Sequence, residues 1–172
     1  MADVGTKFIR KDKLFKYGFN WSPMYRRTTA KVYRVSKDLS EITIKLPISY
    51  KNRNYANTIF GGSMFAAVDP IPMVQLLNII GNDYVVWDKA AHVSFKRPAK
   101  VDLYADFVFT PSEVASILEK VTTSNEIEIE KVALLQNKER DTVYCEIKKT
   151  IYIANKAYYK AKRKKRQQKS SA

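Results

Sequence analysis

The stretch of residues 59–81, IFGGSMFAAVDPIPMVQLLNIIG, is apolar all around a helical wheel and carries one formal charge, that of Asp69. A helix that is hydrophobic on every side is normally buried, so the rest of the chain must enclose it. A buried carboxylate costs several kcal/mol unless it is paired, hydrogen-bonded or protonated. Asp69 is therefore either a structural acceptor with a buried partner or a working acid or base.

The same stretch is long enough to span a bilayer, but its composition argues against insertion. Asp69 would lie near the bilayer centre at a cost of about 2.5–3.5 kcal/mol. Two prolines, a glutamine and an asparagine add to that cost. The N-terminus lacks the apolar region of a signal peptide, and the single cysteine, Cys145, excludes an internal disulfide bond. We therefore expect a soluble, cytoplasmic protein with no metal site and no cofactor.

The basic charge is concentrated at the two ends of the chain. The 172 residues carry a formal net charge of +14, and residues 155–172 hold eight lysines and arginines and no acid. We predict a basic N-terminal helix over 1–20, a folded domain over 21–154 and a basic, disordered tail over 155–172. Such a tail either contacts nucleic acid, an anionic membrane or an acidic protein, or is a solvated end without a specific partner.

Hydrophobic periodicity predicts the order of the helices and strands. Near-helical spacing predicts a helix over 6–19, a helix-start pattern predicts a short one over 111–120, and the polar segment 49–58 is expected to be a loop. Alternation predicts that Trp87 shares a face with Val93, and that Val101 points inward. The predicted strands cover 30–36, 41–46, 85–97, 101–109, 126–136 and 142–153. One apolar helix with about six mostly antiparallel strands indicates α+β packing, in which the sheet wraps the helix.

The segment NYANTIFGGSMFAAVD (54–69) resembles the signature of hotdog-fold acyl-CoA thioesterases of the phenylacetyl-CoA thioesterase type. Their pattern is an Asn, a His-Gly-Gly that opens the central helix, and an acid eight positions after the first Gly. Asn54, Gly61, Gly62 and Asp69 stand at those spacings. The block 92–107 is similar to the family's central strand, Arg-Pro turn and following strand. The resemblance covers roughly residues 28–154 and is closest to an uncharacterised branch that is carried as a domain of unknown function.

This resemblance implies an α+β hotdog fold, with an antiparallel sheet of about six strands around one long central helix, an N-terminal helix and a small helical insertion. The amides of Gly61 and Gly62, at a helix N-terminus, would polarise a thioester carbonyl. Asp69 lies roughly 10 Å further along the helix, too far to reach the same oxygen. The resemblance implies a homodimer or a dimer of dimers, with Asp69 as general base or nucleophile facing the partner's glycines. Asn54 would orient the water or the carbonyl.

Two positions depart from the family's pattern. Phe60 replaces the His before the glycine pair, and Pro70 directly follows Asp69. A proline disfavours helical geometry at the residue before it, and with Pro72 it should kink the helix. Three roles for Asp69 therefore remain open, namely catalysis, capping of the segment after the kink, and ligand binding without turnover.

Four further residues are weaker candidates. Ser63 follows the glycines and would donate to a ligand or cap the helix. Arg97 and Lys100 flank a proline turn, and the resemblance suggests that this turn lies near the phosphates of CoA. A solvated basic turn is the alternative. The only histidine, His92, is expected to be a packed or interface residue.

The leading hypothesis is a thioesterase-like enzyme that hydrolyses an acyl-CoA or a related acyl thioester. The alternative is a non-catalytic acyl-CoA or lipid-binding hotdog module whose basic tail contacts anionic partners.

Overall fold

The computed structural model describes residues 10–170. Within this range the chain forms a single antiparallel sheet, an apolar central helix in two parts, and flanking helices at both ends. The strands are β1 (Lys31–Val35), β2 (Glu41–Leu46), β3 (Tyr84–Phe95), β4 (Leu103–Val108), β5 (Glu126–Gln136) and β6 (Val143–Asn155). Their order across the sheet is β1-β2-β4-β5-β6-β3. This architecture confirms the predicted α+β hotdog fold.

The N-terminal helix, α1 (Lys11–Trp21), packs against the first strand. Its Asn20 side chain accepts from the Val32 amide at 2.8 Å and donates to the Val32 carbonyl at 3.0 Å. A short helix, α2 (Pro23–Arg27), follows. Residues 1–9, which include the start of the predicted helix, lie outside the described residues.

The central helix consists of α3 (Gly61–Val68) and α4 (Ile71–Ile80), which are separated at Asp69 and Pro70. The break follows from the two prolines, which lack the N–H groups that a continuous helix needs. One expectation is wrong: Asp69 has helical angles, with φ −45° and ψ −54°. By length and composition Gly61–Ile80 would also fit a membrane span, but both helices contribute fully buried side chains to the hydrophobic core.

A β-bulge in β3 changes which side chains face the core. The register with β6 shifts between Asp88 and Ala90, so the two halves of the strand present opposite alternations. Val93 pairs with the inward Ile147, whereas Trp87 is 54% exposed on the outer face. The prediction that Trp87 and Val93 share a face is therefore wrong, because simple alternation does not anticipate a bulge.

The predicted small insertion is the helix α5 (Pro111–Ser124), which is longer than expected. Thr110 caps its first turn by accepting from the Glu113 amide at 3.2 Å, and Asn125 ends it with a left-handed backbone, φ 64°. Val101, predicted to face inward, is exposed because β4 begins only at Leu103.

The C-terminal segment is helical as far as it is described, and the predicted disordered tail is corrected accordingly. Helix α6 spans Lys156–Ser170 and begins directly after β6. Lys162 binds both oxygens of Glu126 at 2.5 and 2.6 Å, and the hydroxyls of Tyr152 and Tyr158 donate to the same carboxylate. These contacts fix the helix to the start of β5, and composition alone did not reveal them.

Candidate functional site at the start of the central helix

A groove of about 480 Å³ runs along the exposed side of α3. It brings together three of the predicted site residues, Gly62, Ser63 and Asp69. Met24 and Arg27 on α2 also line the groove. The ring of Phe60, the N-cap residue of α3, lines it as well. The groove therefore holds the start and the end of α3 on one continuous surface.

The first turn of α3 offers unpaired backbone donors. The amides of Ser63 and Met64 donate to the Phe60 carbonyl at 3.0 and 3.2 Å. The amides of Gly61 and Gly62 donate to nothing within residues 10–170. Positive partial charge collects at such a terminus, so these two N–H groups can bind an anionic or carbonyl oxygen.

Aromatic rings cover both glycines. A Cβ at Gly61 would lie 2.7 Å from the Phe95 ring, and a Cβ at Gly62 would overlap the Phe60 ring. A side chain at either position would displace these rings, so the glycines permit their close approach. Phe60 is 58% exposed, and its ring occupies the place where the family's pattern has a histidine.

Asp69 binds a buried lysine that the sequence analysis did not identify. Lys149 on β6 is 2% exposed, and its ammonium contacts Asp69 Oδ1 and lies 3.1 Å from Asp88 Oδ2. The Lys149 ammonium also lies 5.5 Å from the centre of the Phe65 ring. The Asp69 side chain is 42% exposed, and its Oδ2 has no hydrogen-bond partner among the described residues. One carboxylate oxygen is thus fixed by an ion pair while the carboxylate stays open to the groove.

The two carboxylates differ in environment. Burial raises the pKa of Asp88, and the nearby Lys149 ammonium partly opposes that rise. Asp88 Oδ1 is buried without a hydrogen-bond partner, which makes its charged form costly. Lys149 therefore places one positive charge between two carboxylates that would otherwise lie together without a counter-charge.

Asp69 does not cap the segment after the break. Helix α4 has Pro70 at its N-cap position and receives no side-chain cap. The Asp69 carboxylate instead reaches across to the sheet, to a residue 80 positions later in the chain. Of the interpretations made from the sequence, capping finds no support in this geometry, whereas an acceptor with a buried partner does.

Asn54 does not line the groove. Its Oδ1 accepts from the amides of Ala56 and Thr58 at 3.0 and 3.1 Å, and its Nδ2 donates to the Thr58 hydroxyl at 2.9 Å. Asparagine commonly closes loops in this way. The predicted role in orienting a water or a carbonyl is not supported by this placement, because the oxygen and the nitrogen of the side chain both bond within its own loop.

The basic turn lies next to the start of the helix. Arg97 and Lys100 are exposed, and neither forms an ion pair within the described part of the chain. The Ala99 carbonyl between them accepts from the Ile59 amide at 2.9 Å, two residues before Gly61. His92 is exposed on β3, opposite Lys148, so it is not packed in the core.

Two functional candidates escaped the sequence analysis. Lys149 interrupts an inward row of apolar residues on β6, between Ile147 and Ile151, and this misplaced charge was a usable signal. Arg27 lines the groove without an ion pair among residues 10–170, and nothing local distinguishes it from Arg26. Arg27 reaches the groove because α2 packs beside α3, which the local sequence does not indicate.

Comparisons with known proteins agree with this fold. The sequence profile of the family described as domain of unknown function DUF4442 matches residues 11–153. No curated protein matches the chain. Among solved structures, the Pseudomonas aeruginosa protein PA5026, described as a probable thioesterase, is similar with a TM-score of 0.73 at 14% identity, over 83% of this chain and 95% of that one.

Two further solved structures show the same fold at low identity. Thioesterase HI1161 from Haemophilus influenzae has a TM-score of 0.60 at 10% identity, over 84% of this chain and 90% of that one. Zebrafish thioesterase superfamily member 2 has a TM-score of 0.56 at 16% identity, over 82% of this chain and 94% of that one. With its thioesterase-like hotdog fold and its profile match, the chain belongs to the DUF4442 family of unknown function.

Proposed function

We propose that this protein hydrolyses an acyl thioester, with acyl-CoA as the leading substrate class, in the groove along α3. The observation that carries the proposal is that α3 offers two amides at its start, unpaired among the described residues, and an exposed carboxylate, Asp69, at its end, which two copies of the chain can bring together. The amides of Gly61 and Gly62 would hold the thioester oxygen and stabilise the oxyanion that forms when water attacks. The thioesterase-like fold supports the same class of reaction.

Asp69 acts as the general base in this proposal. It takes a proton from the attacking water, the tetrahedral intermediate collapses, the carbon–sulfur bond breaks, and the proton passes to the departing thiolate. The products are a carboxylic acid and a free thiol. Direct attack by Asp69 on the thioester is the alternative, in which water then hydrolyses the resulting anhydride. Lys149 supports either step by holding Asp69 Oδ1 and leaving the carboxylate accessible.

The site is shared between two copies of the chain. Asp69 lies seven residues after Gly62, roughly 10 Å along the helix axis, so each acid serves the partner's glycine pair. Support comes from β3, which is one of the two edge strands of the sheet and is exposed over Ala90–His92. A long unpaired edge is a template for a second strand. A homodimer, or a dimer of dimers, therefore completes the site.

Three cations on the segments next to α3 suit the phosphates of CoA. Arg27 lines the groove, and Arg97 and Lys100 lie on the turn that contacts the residues before Gly61. Guanidinium and ammonium groups without carboxylate partners bind phosphate well. We expect the double variant Arg97→Ala/Lys100→Ala to raise KM for acyl-CoA at least tenfold and to leave KM for an acyl-pantetheine substrate unchanged.

The proposal is tested by assaying the purified protein against a panel of acyl-CoA esters with a thiol-detecting reagent. Asp69→Asn keeps the shape of the side chain and removes the base, so kcat should fall by about 10²–10⁴-fold. Asp83→Asn is the matched control, because the Asp83 side chain forms no ion pair with the side chains of residues 10–168 and lies outside the groove. Turnover that survives both Asp69→Asn and Asp69→Ala would rule out catalysis by Asp69.

A binding module without turnover is the second candidate, and the position of Phe60 favours it. Its ring covers Gly62 where the family's pattern has a polar side chain. Saturable binding of an acyl-CoA by calorimetry, without release of thiol, would support this candidate over hydrolysis. Phe60→His then becomes informative, since gain of turnover would show that the ring is what blocks the reaction.

The basic helix α6 is proposed to contact an anionic partner in addition. Arg163 and Arg166 border an outer groove of about 610 Å³ that also contains Trp87 and Tyr152, and neither arginine forms an ion pair within the described residues. A protein truncated after Asn155 should lose salt-sensitive binding to single-stranded RNA or to anionic vesicles. Equal binding by the truncated and full chains would exclude this role.

A further inference from the structure

A second groove of about 340 Å³ lies between α1 and α4, and it is mostly apolar. Its walls include Leu14, Phe15 and Phe19 from α1 and Val74 from α4. Phe15 and Phe19 stack with ring centres 4.7 Å apart, which gives one wall a rigid aromatic surface. Nothing in the thioester chemistry at α3 uses this groove.

The apolar groove adjoins the groove at α3. Met24, which is 54% exposed, lines both. Along the central helix, Ser63, Ala66 and Pro70 line the first groove, and Val74 and Asn78 line the second. Steps of three or four residues keep the positions within each helix on one face, and Met24 lies where the two sets meet.

We propose that the apolar groove holds the hydrocarbon chain of the substrate, and that the substrate is therefore a medium- or long-chain aliphatic acyl thioester. This inference rests on the proposed function for the position of the thioester. The distance along the helix from Asp69 to Asn78 is roughly 14 Å, which an extended chain of on the order of ten carbons covers. Each methylene that leaves water there raises affinity by about two- to fourfold.

The N-terminal helix forms one wall of this groove and thereby sets the chain length. Its docking is specific, because the Asn20 side chain is paired with the Val32 backbone and the Tyr25 hydroxyl donates to the Ala67 carbonyl at 3.0 Å. These contacts hold α1 and α2 against the sheet and α3. The two walls of the groove, α1 and α4, are therefore both held in place by contacts with the rest of the domain.

Gly18 offers a direct way to fill the groove. It lines the groove, and a Cβ built on it meets no atom within 4 Å. A larger side chain there would enter empty space, and helical glycine is replaced by Ala or Leu with a gain in helix propensity. Gly18→Leu therefore blocks the groove, and Gly18→Ala is the matched control that changes the helix but leaves most of the space.

The first experiment measures binding without relying on hydrolysis. Dansylaminoundecanoic acid, a fluorescent fatty acid, is titrated into the full-length wild type, Gly18→Ala and Gly18→Leu. We expect Gly18→Leu to weaken binding at least tenfold and Gly18→Ala to change it less than threefold. Asn78→Trp narrows the groove from α4 and serves if Gly18→Leu fails to fold. Unchanged binding in both blocking variants would overturn the proposal, as would binding that appears only after residues 1–9 are removed.

The second experiment compares hydrolysis of acyl-CoA esters from two to sixteen carbons. The wild type should prefer chains of about ten to twelve carbons, and in Gly18→Leu the ratio of kcat/KM for these chains to kcat/KM for acetyl-CoA should fall at least tenfold. Loss of probe binding in Gly18→Leu with no hydrolysis in any protein would support the acyl groove and overturn the proposed enzyme. Hydrolysis that depends on Asp69 but changes neither with chain length nor in Gly18→Leu would support the proposed enzyme and overturn the acyl groove.

Discussion

Replacing the buried Lys149 with methionine tests the ion cluster directly. Lys149→Met keeps a side chain of similar length in the apolar row of β6 and removes the only cation that contacts Asp69 and Asp88 among the described residues. Asp69 is 42% exposed and can be solvated by water, whereas Asp88 is 21% exposed and has one buried, unpaired oxygen. The loss therefore falls mainly on Asp88.

The expected cost follows from that burial. Removing one partner of a buried pair costs about 3–5 kcal/mol, and the exposure of Asp69 places this case at the lower end, about 3 kcal/mol at pH 7.5. For a domain of this size, that loss corresponds to a fall in Tm of about 6–12 °C. Lys148→Met is the matched control, because Lys148 is exposed on the opposite face of the same strand and should cost less than about 0.5 kcal/mol.

The cost should depend on pH in a definite direction. Burial raises the pKa of Asp88 above its unfolded value, so the folded chain keeps a proton on Asp88 at pH values where the unfolded chain has lost it. Stability from this group therefore falls as pH rises from the unfolded pKa through the folded pKa. Without Lys149 the pKa of Asp88 rises further, and the gap between variant and wild type should widen from pH 4.5 to pH 7.5.

Urea denaturation of both proteins at these two pH values measures the effect. The double variant Lys149→Met/Asp88→Asn should recover more than half of the lost stability at pH 7.5, because it removes the unpaired charge. A Lys149→Met protein whose unfolding free energy lies within about 1 kcal/mol of the wild type at pH 7.5 would refute the reasoning. So would a loss that is the same at both pH values.

Three other changes test contacts that position the site and the terminal helix. Tyr25→Phe deletes the hydroxyl that donates to the Ala67 carbonyl, and the free energy of unfolding in urea should fall by about 1–2 kcal/mol; an unchanged value would mean that this bond does not anchor α2. Thr110→Ala removes the cap of α5 and should cost about 1 kcal/mol, with faster amide exchange in its first turn and not in its last. Lys162 holds the pKa of Glu126 below its usual value, so this contact is present at neutral pH and is lost as pH falls through the folded pKa. Glu126→Gln should therefore lower the amide protection factors of α6 at pH 7 to those that the wild type reaches only in acid, and equal protection factors at pH 7 would contradict the anchoring role.

The strands with clear alternation were predictable because burial of one sheet face imposes a period of two directly on the sequence. The prediction of β2 over 41–46 and of β5 over 126–136 matches the structure to the residue. The positions of the glycine pair and Asp69 were also predictable from the sequence. Gly62, Ser63 and Asp69 are close in sequence, and helical spacing alone places them along one groove.

The remaining features depend on contacts between distant parts of the chain. Asp69 and Lys149 are 80 residues apart, and no local pattern pairs them. Asn54 matched a motif by spacing, yet its loop uses every polar atom of the side chain. Helix α6 was predicted as a disordered tail because its sequence is strongly basic. The carboxylate that fixes it, Glu126, lies on β5, 36 residues before Lys162.

The bulge in β3 is a phase shift in the strand, and it lets the strand carry one extra residue without turning the ion cluster out of the core. Asp88, before the shift, and Val93, after it, both face inward because the bulge absorbs the extra residue Lys89. Deleting Lys89 would leave Asp88 and Val93 four positions apart, so a regular strand would still direct both of them inward. A relative that has lost this residue should therefore keep both the acid on β3 and the charge on β6.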